Sequence, residues 1–209
     1  MRRRRWPWIV GALLIVVLGV VAAVVVPIVT HRDQGLSNQD ELGEEWPLEV
    51  TASGDDGRRR HLAVISPEPG GIVDTSALRP GDRVVVSGTG YDPARGIYVA
   101  ICAIPDDPAT KPGPCLGGVP SQEASESEAG AIQYAPSNWI NDDWAWKLFG
   151  ARSYDDRDTG TFTAYIEVPE PADEAVDCRE VRCGLYTRND HTAAGDRVQD
   201  LYIPVGFAR

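Results

Sequence analysis

The chain has 209 residues and a formal net charge of −11 at pH 7, from 20 Lys and Arg against 31 Asp and Glu. Four of the basic residues are Arg2, Arg3, Arg4 and Arg5, so beyond residue 30 the formal charge is about −15. A surface this acidic repels phosphate backbones, and Arg58, Arg59 and Arg60 form the only basic run outside the N-terminus, which excludes nucleic acid as a partner.

Residues 6–29 are an uninterrupted apolar run directly after the arginines. About 20 apolar residues span the hydrocarbon of a bilayer, and a leading cluster of arginines keeps the N-terminus cytoplasmic. The expectation is a basic cytoplasmic end at 1–5, a single transmembrane helix over 6–29 and an extracytoplasmic remainder, which places the protein in the cell membrane. A cleaved signal peptide is the alternative, because Val21-Ala22-Ala23 offers small residues of the kind a signal peptidase accepts, although the apolar run continues past them. From 30 to 61 the composition turns polar with no sustained period, as in a flexible tether. Trp46 is its one conspicuous residue, either a docking motif or a ring that folds back onto the chain's own domain.

The remainder, 62–209, alternates short apolar runs with turn residues. Residues 61–66 read as a first short strand, ended by Pro67-Glu68-Pro69-Gly70-Gly71. Ile72 and Val73 begin a second short piece before Arg79-Pro80-Gly81-Asp82, where Pro presets the turn and Gly completes it. Two apolar runs, Val84-Val85-Val86-Ser87 and Ile97-Tyr98-Val99-Ala100-Ile101-Cys102, flank Gly88-Thr89-Gly90-Tyr91-Asp92-Pro93. That punctuation predicts a hairpin of two centrally placed strands. Residues 161–168 alternate cleanly, with Phe162, Ala164, Ile166 and Val168 on the buried face. Leu201, Ile203, Val205 and Phe207 repeat the pattern, and Pro204 assigns that strand to an edge or a bulge. With almost no helical periodicity beyond residue 29, the fold class is all-β, a sandwich of roughly immunoglobulin size.

Between Cys115 and Thr161 the strand pattern is interrupted by an insertion, about 119–160. Residues 121–129 are an acidic, low-complexity loop. Residues 138–150 then gather Trp139, Trp144, Trp146 and Phe149 with Ile140 and Leu148, where a plain loop is polar. Ser137 or Asn138 is placed to cap a short helix carrying Trp139 and Trp146 on one side. Indole rings give large contact area at low entropy cost, so these four aromatics are the candidate ligand- or partner-binding site, with Tyr134 and Tyr186 as weaker members of its rim. The competing role is a hydrophobic lid that completes the domain's own core.

Arg188-Asn189-Asp190-His191, with Asp196 and Asp200 nearby, is a second concentration of chemistry. A general base or a cation site is conceivable there, but no nucleophile elbow, second histidine at helical spacing or EF-hand register accompanies it. Structural side-chain to backbone bonding in a turn accounts for it. The acid pairs Asp106-Asp107, Asp142-Asp143 and Asp155-Asp156 read as hydrated turns. No catalytic residue, metal ion or cofactor is assigned.

The four cysteines, Cys102, Cys115, Cys178 and Cys183, all lie in the part expected to face an oxidising compartment. Of three connectivities, the local one, Cys102 with Cys115 and Cys178 with Cys183, is favoured by proximity in sequence, the first loop contributing about 3 kcal/mol. Zinc ligation is the rival, without the Cys-x-x-Cys spacing that usually marks it.

Val84-Val85-Val86-Ser87-Gly88-Thr89-Gly90 followed by Gly96-Ile97-Tyr98-Val99-Ala100-Ile101-Cys102 resembles a central strand and first disulfide strand of the neocarzinostatin family. Val176-Asp177-Cys178, four residues, and Cys183-Gly184-Leu185-Tyr186 are similar to that family's C-terminal part, so that the likeness spans 62–208. It implies a seven-stranded immunoglobulin-like sandwich, the same local disulfides, and a cleft between the loops they border. Known members are secreted actinobacterial carriers that hold an enediyne chromophore in that cleft. The anchor and the Trp-rich insertion depart from the family's pattern, so the chromophore is not carried over. The function expected is a membrane-tethered, monomeric, non-catalytic binding module holding an apolar or aromatic small molecule, with Trp139, Trp144, Trp146 and Phe149 lining or covering the cleft. The alternative is an interaction subunit of a cell-envelope protein complex.

Overall fold

The computed structural model of the chain describes residues 6–39, 42–118 and 133–208 and divides it into two compact units, the boundary falling after Arg32. The expected basic end at 1–5 and the acidic loop at 121–129 lie outside the described residues. The first unit holds helix α1, Trp6–Val29, which has no charged residue and two prolines, Pro7 in its first turn and Pro27 near its end. From Trp8 onward it is long and apolar enough to cross a membrane. Together with the two disulfides of the second unit, this fits a membrane-anchored or a secreted domain.

The second unit is a sandwich of two four-stranded antiparallel sheets. Its strands are β1 (Glu49–Ser53), β2 (Arg59–Ile65), β3 (Arg83–Thr89), β4 (Ile97–Ala103), β5 (Ser137–Ile140), β6 (Phe162–Glu167), β7 (Cys183–Asn189) and β8 (Leu201–Val205), with a short helix α2 at Trp144–Lys147. One sheet runs β1-β2-β3-β6 and the other β5-β4-β7-β8. Alternate residues of both meet in one core, among them Leu62, Val86, Phe162, Ala164 and Ile166 from the first sheet and Ile97, Val99, Ile101, Leu185 and Ile203 from the second.

The alternation at 161–168 folds as expected: Phe162, Ala164 and Ile166 are fully buried. β8 is an edge strand, as Pro204 requires, since a proline cannot donate to a further neighbour. Both disulfides are the local ones, Cys102–Cys115 and Cys178–Cys183.

Four expectations are corrected. First, the apolar runs either side of Gly88-Thr89-Gly90 are not a hairpin: β3 pairs with β2 and β6, and β4 belongs to the opposite sheet. The Gly-rich stretch is an arch that carries the chain from one sheet to the other. Gly90 has φ +80°, and a Cβ there would meet the Arg59 carbonyl oxygen at 2.0 Å. Tyr91 follows it into the core, stacked edge-on against Phe162 at 5.0 Å with its hydroxyl 3.0 Å from Thr187 Oγ1.

Second, the stretch expected to be a tether belongs to the folded unit from Asp33 onward. β1 supplies an eighth strand, with Val50 and Ala52 pointing inward. Ahead of it, residues 34–39 run along the open edge of β8: Leu36 bridges to Arg197, Ser37 Oγ donates to the Asp200 carbonyl at 2.7 Å, and the Gln39 amide closes two bonds with the Tyr202 backbone. This polar segment satisfies an edge that would otherwise be free to pair with another chain. The Trp46 ring folds back onto Gly206. Third, Ile72 and Val73 lie in irregular chain and Ile72 is 91% exposed. Fourth, Ser137 and Asn138 belong to β5 and cap no helix; the cap of α2 is Asp143, whose carboxylate accepts the Ala145 amide at 2.8 Å.

Candidate functional site

Antiparallel pairing sorts the second sheet's side chains strictly by face. Opposite the core, on its outer face, Tyr98 stands between Trp139 and Arg188, Ala100 beside Tyr186, and Tyr186 beside Tyr202. The two ends of this face differ. The end at Cys102 and Cys183 carries both disulfides, and the end at Ile97, Ile140 and Asn189 carries the Trp-rich insertion.

A cleft of about 1080 Å³ lies over the outer face of β7 and β8, reaching from the disulfide loops to Leu36 and Asp200. One wall is the loop closed by Cys102–Cys115, contributing Ile104, Pro105, Asp106, Pro108, Thr110 and Pro112. Ala103 N donates to the Pro114 carbonyl at 2.9 Å, and Arg188 Nη1 holds the Pro112 carbonyl at 2.8 Å, so the loop is tied down at several points. A second wall is the turn closed by Cys178–Cys183. There Arg179 makes a two-point contact with Asp177, at 2.9 and 2.7 Å, which holds that carboxyl down at about 2. The third wall is the N-terminal strap, including Leu36, Gln39, Leu42 and Trp46.

Tyr186 and Tyr202 form the floor, their rings stacked at 4.9 Å. Burial raises the Tyr186 hydroxyl well above its ordinary value, so it stays a neutral donor. Asp200 also borders the cleft; burial pushes its carboxyl up to about 7, against the opposing pull of Arg197 at 2.7 Å. Glu44, Glu45, Asp106 and Glu180 outnumber Arg179 and Arg182 around the opening, so its potential is negative.

At the other end, Trp139 and Trp146 are half-buried and pack on each other at 5.8 Å, with His191 between them, 5.3 Å from the first ring and 4.6 Å from the second. Tyr98 completes the cluster, with its hydroxyl 2.9 Å from His191 Nδ1. Burial and the neighbouring Asp190 charge push that hydroxyl up to about 12. Asp190 is the hub beneath it. Fully buried, it accepts from Trp139 Nε1, Asn141 Nδ2 and the Thr192 amide, each at 2.8 Å, and from Thr192 Oγ1 at 2.5 Å.

The structure thus divides the residues that the sequence grouped. Trp139 and Trp146 form a packed cluster, whereas Trp144 and Phe149 are 59% and 55% exposed. None of the four lines the cleft, because β5 pairs with the first half of β4 and the chain emerges at the end away from the disulfides. Tyr134 lies elsewhere, edge-on to Tyr165 at 5.5 Å and under the Arg83 guanidinium. Of the six, Tyr186 alone reaches the cleft.

Trp46, Leu36, Gln39 and Tyr202 are the lining residues that sequence reasoning missed. The one usable signal was Trp46, a large apolar ring in a polar stretch. His191 meets Tyr98 and two indoles, while the Asp190 carboxylate is occupied by Trp139, Asn141 and Thr192, so the pair does not form a base with its orienting acid. Among the described residues no three His, Cys, Asp or Glu side chains gather as metal ligands would.

No family model matches the chain, and no curated protein does. Among solved structures, macromomycin matches at 19% identity and a TM-score of 0.35, over 70% of this chain and 99% of that one. At that level the match carries no weight for fold or function, which rest on the sheets and the cleft themselves.

Proposed function

We propose that the chain is a membrane-anchored, extracytoplasmic, non-catalytic binding module that holds an apolar or aromatic small molecule in the cleft between its two disulfide loops. The observation that carries this reading is the cleft itself. It is large enough for a drug-sized molecule, floored by stacked Tyr186 and Tyr202, and walled by loops that covalent bonds hold in place. Rigid walls reduce the ordering cost of binding, which suits a carrier or sensor. The acidic rim favours neutral or cationic ligands over anions. The sequence resemblance to the neocarzinostatin family agrees with a carrier role. The length and apolarity of α1 and the arginines that precede it support anchoring, with the N-terminus cytoplasmic and the sandwich outside.

The test uses N-methylacridinium, a water-soluble aromatic cation, titrated into the detergent-solubilised chain while its fluorescence is followed. Saturable binding that Trp46→Ala weakens supports the cleft; no saturable binding by this probe or by neutral polycyclic aromatics removes the reading.

The exposure of Trp144, Leu148 and Phe149 favours a second reading, in which that end of the sandwich is an interaction surface in the cell envelope.

A further inference from the structure

Three residues around α2 break the rule that a short surface helix shows its polar side to water. Trp144, Leu148 and Phe149 are 59%, 71% and 55% exposed, and they project from one short segment. Their neighbours hold them out. Ala145 is buried, Trp146 is fixed against His191, and Asp143 is engaged as the cap. Local charge is balanced despite the acidic domain, because Asp142 is met by Lys147 at 3.5 Å and Arg157 at 3.3 Å.

The place of this patch in the fold matters. α2 leaves β5 at the end of the sheet marked by Ile97, Ile140 and Asn189. The chain enters the sandwich at that same end: Gln34 N donates to Asp196 at 3.2 Å, Leu36 N to Asp55 at 2.9 Å, and Leu36 bridges to Arg197 in the loop between β7 and β8. Contacts continue from there to the patch, through the turn at His191–Ala193, to Trp146 and Phe149. Only residues 30–33 separate the end of α1 at Val29 from Gln34, and at full extension that interval spans about 18 Å. The chain therefore tethers this end of the sandwich to the end of α1 over at most that length.

We infer that Trp144, Leu148 and Phe149 form an interfacial docking patch, seated in the headgroup region of the bilayer that α1 crosses. The inference rests on the membrane-anchored part of the reading above and is independent of the cleft. Trp and Phe partition to the boundary between headgroups and acyl chains, where an apolar face inserts by about 5–10 Å. The acidic domain makes anionic lipid an unfavourable partner, so insertion is apolar and needs no negative headgroup.

The test is made on the full chain reconstituted in phosphatidylcholine vesicles, with a nitroxide placed at Leu148→Cys, Phe149→Cys or, as reference, Ile72→Cys. Ile72 is 91% exposed and follows β2, whose end at Ile65 lies away from the patch. Collision with a water-soluble nickel chelate is expected to fall about fivefold or more at 148 and 149 relative to 72, with collision with dissolved oxygen rising in step. Equal access at the three sites in vesicles that float with the protein overturns the patch and leaves the anchor standing. Protein that does not float with the vesicles overturns both.

Discussion

The Asp190 hub supplies the sharpest test of the cluster that orders the Trp-rich insertion. Asp190→Asn keeps shape and volume but replaces one acceptor oxygen by an amide donor. Its two oxygens face only donors, Trp139 Nε1 and Asn141 Nδ2 on one side and the Thr192 amide and hydroxyl on the other. The least costly orientation turns the new NH2 toward Thr192, whose hydroxyl can rotate to accept while its backbone N–H is left unpaired in a half-buried site. An unsatisfied buried amide costs about 1–3 kcal/mol, and the remaining bonds lose their charge assistance at roughly 0.5–1 kcal/mol each. The expected destabilisation is about 3 kcal/mol. It is read by urea unfolding of the full chain in mild detergent, followed by far-UV circular dichroism and indole fluorescence together. Asp143→Asn, an exposed cap substitution, is the control and should cost well under about 1 kcal/mol. A loss below about 1 kcal/mol for Asp190→Asn would show that the hydrogen bonds at Asp190 do not hold the insertion to the sheet.

Replacing Cys102 and Cys115 together by Ser should lower stability by about 3 kcal/mol in the chain-entropy account and expose the loop 104–112 to proteolysis before the rest of the sandwich unfolds. Limited proteolysis with mass spectrometry checks the order of cleavage. Asp200 predicts a pH effect with a definite sign. Its folded carboxyl is pushed up to about 7 by burial, above the ordinary carboxylate value, so between those two values the folded state holds a proton that the unfolded state has released. Stability from this group is therefore greatest in acid and falls as pH rises toward 7, by at most about 1.4 kcal/mol per pH unit, and Asp200→Asn should flatten that slope in unfolding curves taken from pH 5 to 8.

Elements whose period is set locally were legible. The alternation of Phe162, Ala164, Ile166 and Val168 fixed both the strand and its buried face, and Pro204 placed β8 at an edge because it lacks a donor. The arch at Gly88-Thr89-Gly90 was not legible. Glycines open positive φ in a hairpin turn and in a sheet-to-sheet crossing alike, and the difference lies in the partners, Leu62 before it and Phe162 far after it. β1 is five residues with only Val50 and Ala52 to bury, too short to stand out from a polar stretch. The cleft was hidden for the same reason: its third wall comes from residues 36–39, Leu42 and 44–46, whose Gln and Ser side chains read as tether until they are seen pairing with the edge of β8. The Trp-rich insertion drew attention by composition, but composition does not say which end of a strand it leaves from.

The cleft is tested most directly by locating a bound probe. N-methylacridinium titrated into the full chain should bind saturably. Trp46→Ala and Val181→Lys, both at lining positions, should weaken that binding about tenfold, or about 1.4 kcal/mol, while Trp144→Ala at the other end of the sheet leaves it unchanged. Binding that is lost with Trp144→Ala and indifferent to Trp46 and Val181 would place recognition on the aromatic insertion and contradict the account.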